Sequence, residues 1–387
     1  GRGDDASLVV LVAGEDQLDQ YLMDNPGDFF EKPPERAVVD PENGAILPDH
    51  VRSAARENWL SPGDEQYFGG QFPDLVGALE AAGDLQRRET DGGVRWTYDG
   101  GGSPQHEMSL RTTSDREIDL FDRRRDERVG SLPFEDALRD VHPGAVYHHA
   151  GRTYEVTDID LQRDRAELDP ARVDYYTRVL HDKTVTVERD LDERAVPNAD
   201  ATARFADLSV RKRITAFERR DAKTGEVLGR EPLDLPETTL RTRGLYFTVP
   251  AAVERRVRER ARAGDRGPAS VFGGAIHAAE HALIALFPLH VLCDRRDVGG
   301  LSTPHHRHTD ASTVFVYDGH PGGVGLAREG FDRLVELAGQ ARDLIDDCDC
   351  EDGCPACVQS PHCGNGNDPL DKGGAVAVLE DVLLGEG

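Results

Sequence analysis

Long apolar runs are missing from this sequence. No window of about eighteen consecutive apolar residues is read in it, so no membrane-spanning helix is expected, and no basic-then-apolar leader opens it. The segment G-x-x-x-x-G-K-[ST] is absent, which excludes a nucleotide-binding P-loop. The glycines Gly319, Gly322, Gly323 and Gly325 do not replace it, because Pro321 interrupts them and no Lys-Ser/Thr pair follows. Lysine is scarce: Lys32, Lys183, Lys212, Lys223 and Lys372 are all there are, and arginine supplies the remaining basic charge. Cysteines number only six, and five fall between Cys348 and Cys363. So tight a cluster points to metal rather than a disulfide framework, and to a cytoplasmic chain. An initiating methionine is also lacking. The chain opens on Gly1-Arg2-Gly3 and runs into apolar Ser7–Ala13, the pattern of a domain interior, so a fragment or truncated frame is expected.

What is abundant is acidic charge. The 387 residues carry 73 Asp and Glu against 46 Lys and Arg, a formal net charge of -27. The acids are spread evenly, which reads as a solvated acidic surface rather than a tail. Aspartate and arginine in excess over lysine suit a concentrated-salt interior, the halophilic reading. A melting temperature that falls as KCl approaches molar levels would sink that reading. The charge argues mildly against nucleic acid, which wants a basic footprint, but net charge is not local charge. The length allows two to four domains.

The pattern along the chain is multi-domain, mixing α/β and α+β. Ser7–Ala13 reads as a buried strand and Asp16–Met23 as a helix, followed by a connector with Pro33, Pro34, Pro41 and Pro48; residues 1–48 look like the tail of an α/β domain. Residues 49–115 read as three helices (His50–Asn58, Gly63–Phe68, Asp74–Ala82) and a hairpin turning at Asp91-Gly92-Gly93. That is a winged-helix pattern, with a plain α+β packing module as the alternative. Residues 116–249 read mostly as strands, including a hairpin at Ala222–Gly229. Residues 250–387 combine an arginine-rich helix at Pro250–Ala263, an apolar helix at Val271–Phe287, strands at Leu289–Cys293 and Ser312–Tyr317, a long helix at Leu326–Asp346 and a final helix at Gly373–Leu384.

Cys354-Pro-Ala-Cys357 is the firmest metal pair, because two residues between thiolates close a small chelate ring around a tetrahedral ion. Cys350 and Cys363 are expected to complete four ligands, with Cys348 a fifth candidate that could exchange with Cys350. Four thiolates leave no open position, so a structural Zn2+ is expected; an iron–sulfur cluster is the rival. Separately, His277-Ala-Ala-Glu280-His281 matches H-x-x-E-H, in which two histidines share a helix face. A zinc metallopeptidase or hydrolase using His277, Glu280 and His281 is therefore the alternative function. Its third ligand would be Glu336 or one of His305, His306 and His308. The plainer reading is a polar cluster of His277, Glu280 and His281 hydrogen-bonded to Asp294 or Asp318.

Four stretches together resemble one family: Phe272–Ala282, Cys293–Pro304, Tyr317–Gly325, and Cys350–Asn367 with Leu370-Asp371-Lys372. They are similar to the C-terminal zinc-binding domain of MrfA-type (YprA-like) helicases, superfamily 2 ATP-dependent DNA helicases linked to repair of crosslinking damage. Leu18–Leu22 and Val39–Asn43 extend the likeness towards the N-terminus. The resemblance implies the end of a RecA-like lobe (1–48), a winged helix (49–115), a β-rich insertion (116–249) and the zinc-binding domain (250–387). It implies that Arg2 is the remnant of a motor arginine facing ATP, and that ATP and Mg2+ are bound only in a complete parent containing an upstream motor region. It implies a 3'-to-5' helicase whose partner is DNA, single-stranded or fork-like. Candidate phosphate contacts are Arg87, Arg88 and Arg95, then Arg123 and Arg124, Arg211 and Arg213, and Arg255, Arg258 and Arg262, with Trp96, Tyr98 or Phe121 stacking on bases. Each of these arginines could instead pair with a neighbouring acid.

Overall fold

The computed structural model describes residues 8, 10–107, 116–197, 201–261 and 267–385. Arg2 and Arg262 lie outside them. The apolar run at 7–13 does not form the expected strand: its described residues are neither helical nor paired, and Leu8 and Val12 are 88% and 84% exposed. An apolar run becomes a strand only beside another strand, and none of the described residues supplies one. Helix α1 (Gln17–Asp24) starts where the Asp16 carboxylate accepts the Asp19 N–H at 3.1 Å, an N-cap. Helix α2 (Pro26–Phe30) follows.

Three helices, α3 (Leu47–Glu57), α4 (Glu65–Phe68) and α5 (Phe72–Ala82), pack on a hairpin of β1 (Leu85–Thr90) and β2 (Gly93–Tyr98). Leu47, Val51 and Ala55 recur at helical spacing on α3 and meet Phe72, Val76 and Leu79 in one small core. Short α6 (Pro104–Glu107) ends the segment.

A five-stranded sheet comes next, built from β3 (Glu117–Asp122), β4 (Glu127–Pro133), β5 (Val146–His149), β6 (Arg152–Asp160) and β7 (Arg165–Pro170), in the order β4-β3-β7-β6-β5. Helix α7 (Phe134–Asp140) links β4 to β5. Alternate residues Ile118 and Leu120 of β3, and Tyr154 and Val156 of β6, are buried together, as a period of two requires.

The second sheet is larger. Strands β8 (Tyr175–Ala195) and β9 (Thr202–Asp221) form a long hairpin, joined by β10 (Val227–Pro232) and β11 (Thr238–Val249). After helices α8 (Ala251–Ala261) and α9 (Pro268–Ala285), β12 (Val298–His306) and β13 (Ala311–Asp318) extend the same sheet. Phe247 of β11 pairs with Ala203 on one side and Val314 on the other. The division expected at 249/250 therefore falls inside a continuous sheet, whose hydrogen-bond ladder ties strands before and after it into one body. Leu289–Cys293, expected as a strand, makes only an isolated bridge between Val291 and Arg36. The long helix expected over 326–346 breaks at Arg333 into α10 (Leu326–Asp332) and α11 (Leu334–Asp346). Helix α12 (Lys372–Val378) runs on into a π-helical turn, Leu379–Leu384.

Helix α9 sits at the centre of this body, with Phe272, Ile276, Ala279 and Leu283 fully buried. Segment Ala269–Leu289 is, against expectation, long and apolar enough by composition to cross a membrane, but 83% of its most apolar window is buried in the protein. It is apolar because it is wrapped by α8, α11, α12 and the sheet.

Candidate metal centre

Among the described residues, two groups of metal-ligating side chains form, one within the loop between α11 and α12 and one where that loop meets α9. The first consists of Cys348, Cys350, Cys354 and Cys357. Their sulfurs are 3.5 Å apart for Cys348 and Cys350, 3.6 Å for Cys348 and Cys354, 3.5 Å for Cys350 and Cys357, and 3.8 Å for Cys354 and Cys357. These are far too long for S–S bonds. They fit the edges of a tetrahedron: a Zn–S bond of about 2.3 Å places the sulfurs about 3.8 Å apart. The local chain is shaped for this. Gly353 takes a left-handed φ of +99°, and a Cβ there would lie 2.4 Å from Val358 Cγ2. The Cys354 N–H donates to the Cys357 sulfur at 3.3 Å. Lys372 at the start of α12 donates to the Cys350 carbonyl at 2.8 Å and also to the Cys348 carbonyl, which fastens the loop to the helix. Burial raises the Cys357 and Cys354 thiols, whereas at Cys350 burial is outweighed by hydrogen bonds from Cys357, Cys348 and Cys354, which hold its thiol down; a thiolate-binding ion favours the deprotonated form of each ligand.

The expected set differs by one member. Cys348 occupies the place expected for Cys363, whose sulfur lies elsewhere, because the Cys357–Cys363 loop carries it back to α9. There Cys363 joins His277 and His281 in the second group, whose ligating atoms all lie within 4.8 Å of one another. The histidines are one turn apart, with ring centroids 4.3 Å apart. His277 Nδ1 hydrogen-bonds to the Pro369 carbonyl and His281 Nδ1 to the Val358 carbonyl, both at 2.8 Å. His277 Nε2 lies 3.5 Å from the Cys363 sulfur. Gly274 makes this possible: a Cβ there would stand 2.8 Å from the Leu370 carbonyl carbon, so only glycine lets the loop lie on α9. Although burial opposes it, hydrogen bonds from His277 and His281 hold the Cys363 thiol down to about 5. Glu280 is buried but belongs to neither group. Asp294 and Asp318 do not join the cluster either. Asp294 caps the turn at Arg295–Asp297, accepting the Arg296 N–H at 3.0 Å, and Asp318 caps α10, accepting from Val324 and Gly325 at 2.7 and 2.9 Å.

The second group lines a cavity of about 860 Å³. Arg139, Arg178, Lys183, Lys212, Arg295 and Arg296 line it too, with Asp140, Asp182 and Glu280 among them; Arg139 is paired with Asp140 at 2.7 Å, and the balance of the lining is positive in an acidic chain. Burial, followed by the nearby Lys183, lowers Lys212 to about 8. Burial, with Lys212 and Lys183 adding, lowers His181 to about 3. These residues come from α7, β8, β9 and the turn before β12, and no motif in the sequence joins them.

Among the described residues, none of the sequence-predicted arginines lines this cavity. Arg123 pairs with Asp169 at 2.8 Å, Arg213 with Asp234 at 3.2 Å and Arg258 with Glu254 at 2.7 Å. Arg87 and Arg211 are farther from Glu89 and Glu237, at 3.7 and 3.9 Å. Arg88 bonds Gln86, and Arg95 the Val94 carbonyl. Arg124 and Arg255 are exposed. They are spread over separate elements. Of the candidate stacking rings, Trp96 donates to Glu80 and Phe121 is covered by the Arg165 guanidinium at 3.6 Å.

A family model described as the MrfA Zn-binding domain matches residues 279–358, which covers the four clustered cysteines up to Cys357. The "Uncharacterized ATP-dependent helicase YprA" of Bacillus subtilis (strain 168) is 30% identical over 363 residues, spanning 92% of this chain and 46% of that protein. The "Uncharacterized protein MJ1572.1" of Methanocaldococcus jannaschii is 36% identical over 111 residues, 28% of this chain and 99% of that protein. A crystal structure of the DUF1998 helicase MrfA bound to DNA superposes with a TM-score of 0.53 at 26% identity, covering 94% of this chain and 46% of that one. The chain thus spans a little under half the length of its helicase relative.

Proposed function

The chain belongs to the MrfA-type (YprA-like) helicase family, as a C-terminal part, and from that premise we propose that it is the DNA-engaging portion of an ATP-dependent 3'-to-5' DNA helicase. The observation that carries this is the basic cavity. In a chain of net charge -27, Lys183, Lys212, Arg295 and Arg296 crowd one cleft until burial and mutual repulsion lower Lys212. Such a cluster is a site for phosphates. A crystallised relative bound to DNA, similar over 94% of this chain, supports the same reading. ATP and Mg2+ belong to the upstream motor region of the complete protein, to which Arg2 would contribute. DNA repair in the cytoplasm is the proposed setting, and single-stranded or forked DNA the proposed substrate.

Within this reading residues 1–48 close a RecA-like lobe, 49–115 are a winged helix and 116–170 a β-rich insertion. Residues from about 175 form the zinc-binding body, since one sheet spans them. Cys348, Cys350, Cys354 and Cys357 hold a structural Zn2+ that staples the α11–α12 loop. The acidic surface fits a halophilic setting, in which the melting temperature rises with KCl. No peptidase is proposed, because Glu280 stands outside the His277/His281 group.

The test is strand binding by the chain at several salt concentrations. Affinity for single-stranded or forked DNA should fall linearly on a log–log plot with salt. Lys183→Glu with Arg295→Glu should abolish binding, while Arg123→Glu should leave most of it. Binding that ignores the cleft variants removes the reading.

A further inference from the structure

We propose that His277, His281 and Cys363 form a second metal site, distinct from the four-cysteine cluster, that takes a zinc-class divalent ion with three protein ligands and one open position on the basic cavity.

Three independent features of geometry support this. The first is spacing. A tetrahedral zinc with Zn–N of about 2.0–2.1 Å and Zn–S of about 2.3 Å sets ligand nitrogen and sulfur about 3.5 Å apart, and His277 Nε2 lies 3.5 Å from the Cys363 sulfur. The second is tautomer. Both Nδ1 atoms face backbone carbonyls at 2.8 Å, which accept and never donate, so each ring carries its proton on Nδ1. In the neutral rings both Nε2 lone pairs are then left as donors to an ion, in place of the Nε2–H that an imidazolium gives Cys363 without metal, and the carbonyls act as the outer partners that metal-bound histidines usually have. The third is the sulfur. It accepts the Asn367 N–H at 3.2 Å, which favours the thiolate form that binds metal; the metal-free thiol also donates to Asn365 Oδ1 at 2.7 Å, a proton that a bound ion would displace. The ligands come from rigid α9 and from a loop seated on it by Gly274, so the site is preorganised.

The ligand types differ from those of the first cluster. Four thiolates close a structural ion off from solvent, whereas two imidazoles and one thiolate leave a coordination position that faces the cavity through which the three residues are reached. An ion there would exchange more readily than the four-cysteine zinc. It would add positive charge where Lys183 and Arg295 already stand. The metal-free competitor is a thiolate–imidazolium pair of Cys363 and His277.

Elemental analysis of the zinc-replete full chain decides between them. Two zinc ions per chain are expected, falling to one in Cys363→Ser and in His277→Gln. Cobalt loading of the wild type should give a thiolate-to-cobalt absorption from the second site that disappears in Cys363→Ser while the four-cysteine band persists. X-ray absorption of the two-zinc wild type should show imidazole scattering that His277→Gln removes. Should the variants fail to fold, the wild-type stoichiometry and imidazole scattering stand alone. One zinc per chain with an all-sulfur shell, and a Cys363 thiol that iodoacetamide alkylates rapidly at pH 6, overturns the proposal in favour of the ion pair.

Discussion

The two ends of the cysteine loop obey different rules although only five residues separate Cys357 from Cys363. At one end four sulfurs come from ten consecutive residues and close on one another at 3.5 to 3.8 Å. Local chain geometry makes that site, with Gly353 turning the backbone. At the other end Cys363 finds His277, 86 positions away on α9, and His281 one turn farther along the same helix. Only the packing of loop against helix makes that group. A short-range site can be read as spacing, whereas a long-range one exists only after the fold has formed.

The comparison breaks first at the four-cysteine end. Cys354→Ser, or exhaustive chelation, should lower the melting temperature by more than about 10 °C and loosen α11 and α12, since structural zinc supplies folding free energy on the order of 10 kcal/mol in small domains. Thermal melts by circular dichroism check this, and an unchanged melt would show that the loop holds without its ion.

Next in size is the basic cavity. Arg296→Glu should weaken DNA binding about tenfold and reduce the salt slope by about one, as for the loss of one phosphate contact. Arg213→Glu, already beside Asp234, should change both far less. Fluorescence anisotropy titrations at three salt concentrations separate the two, and equal effects would erase the distinction between cavity and surface.

A smaller effect comes from Lys212. Its folded-state value, about 8, lies below the ordinary lysine value, so its charged form costs stability wherever the lysine is protonated in both states, below pH 8. That cost fades as pH climbs from about 8 to about 10.4, so stability contributed by this group rises over that window. Lys212→Met should flatten the rise in urea midpoints across it. DNA binding runs the other way, weakening as Lys212 loses its charge above pH 8. A midpoint profile identical in both proteins would remove Lys212 from the account.

The smallest change is at the surface pairs. Arg123→Ala breaks a contact with Asp169 whose arginine is 60% exposed, and should cost at most about 1 kcal/mol in urea unfolding. A larger loss would mean that these pairs form a cooperative network instead of a solvated acidic skin.

Several elements were legible before any coordinates. The three helices and hairpin at 47–98 carry their own apolar spacing and turn glycines. The Cys354–Cys357 pair reads directly as a chelate. The run at 7–13 was misleading, because apolar composition says nothing of whether a partner strand stands alongside. The arginines were misleading in a different way. Sequence shows charges but not their neighbours, and Arg123, Arg213 and Arg258 turned out to be beside acids. Lys183 and Lys212, of the rarest charged residue type, look isolated in a chain full of arginine, and nothing adjacent to them in sequence marks the cavity they share.

By itself, then, the sequence determined what depends on near neighbours: helix periods, turn glycines, the tight thiolate pair and the family likeness carried by contiguous stretches. The tertiary structure decided which cysteine completes the four, which one departs to the histidines, and where positive charge collects. Those outcomes depend on contacts between β8, α9 and the loop after α11. Such contacts are set by how the large sheet closes around α9, because distance in space and distance along the chain part company once a core has formed.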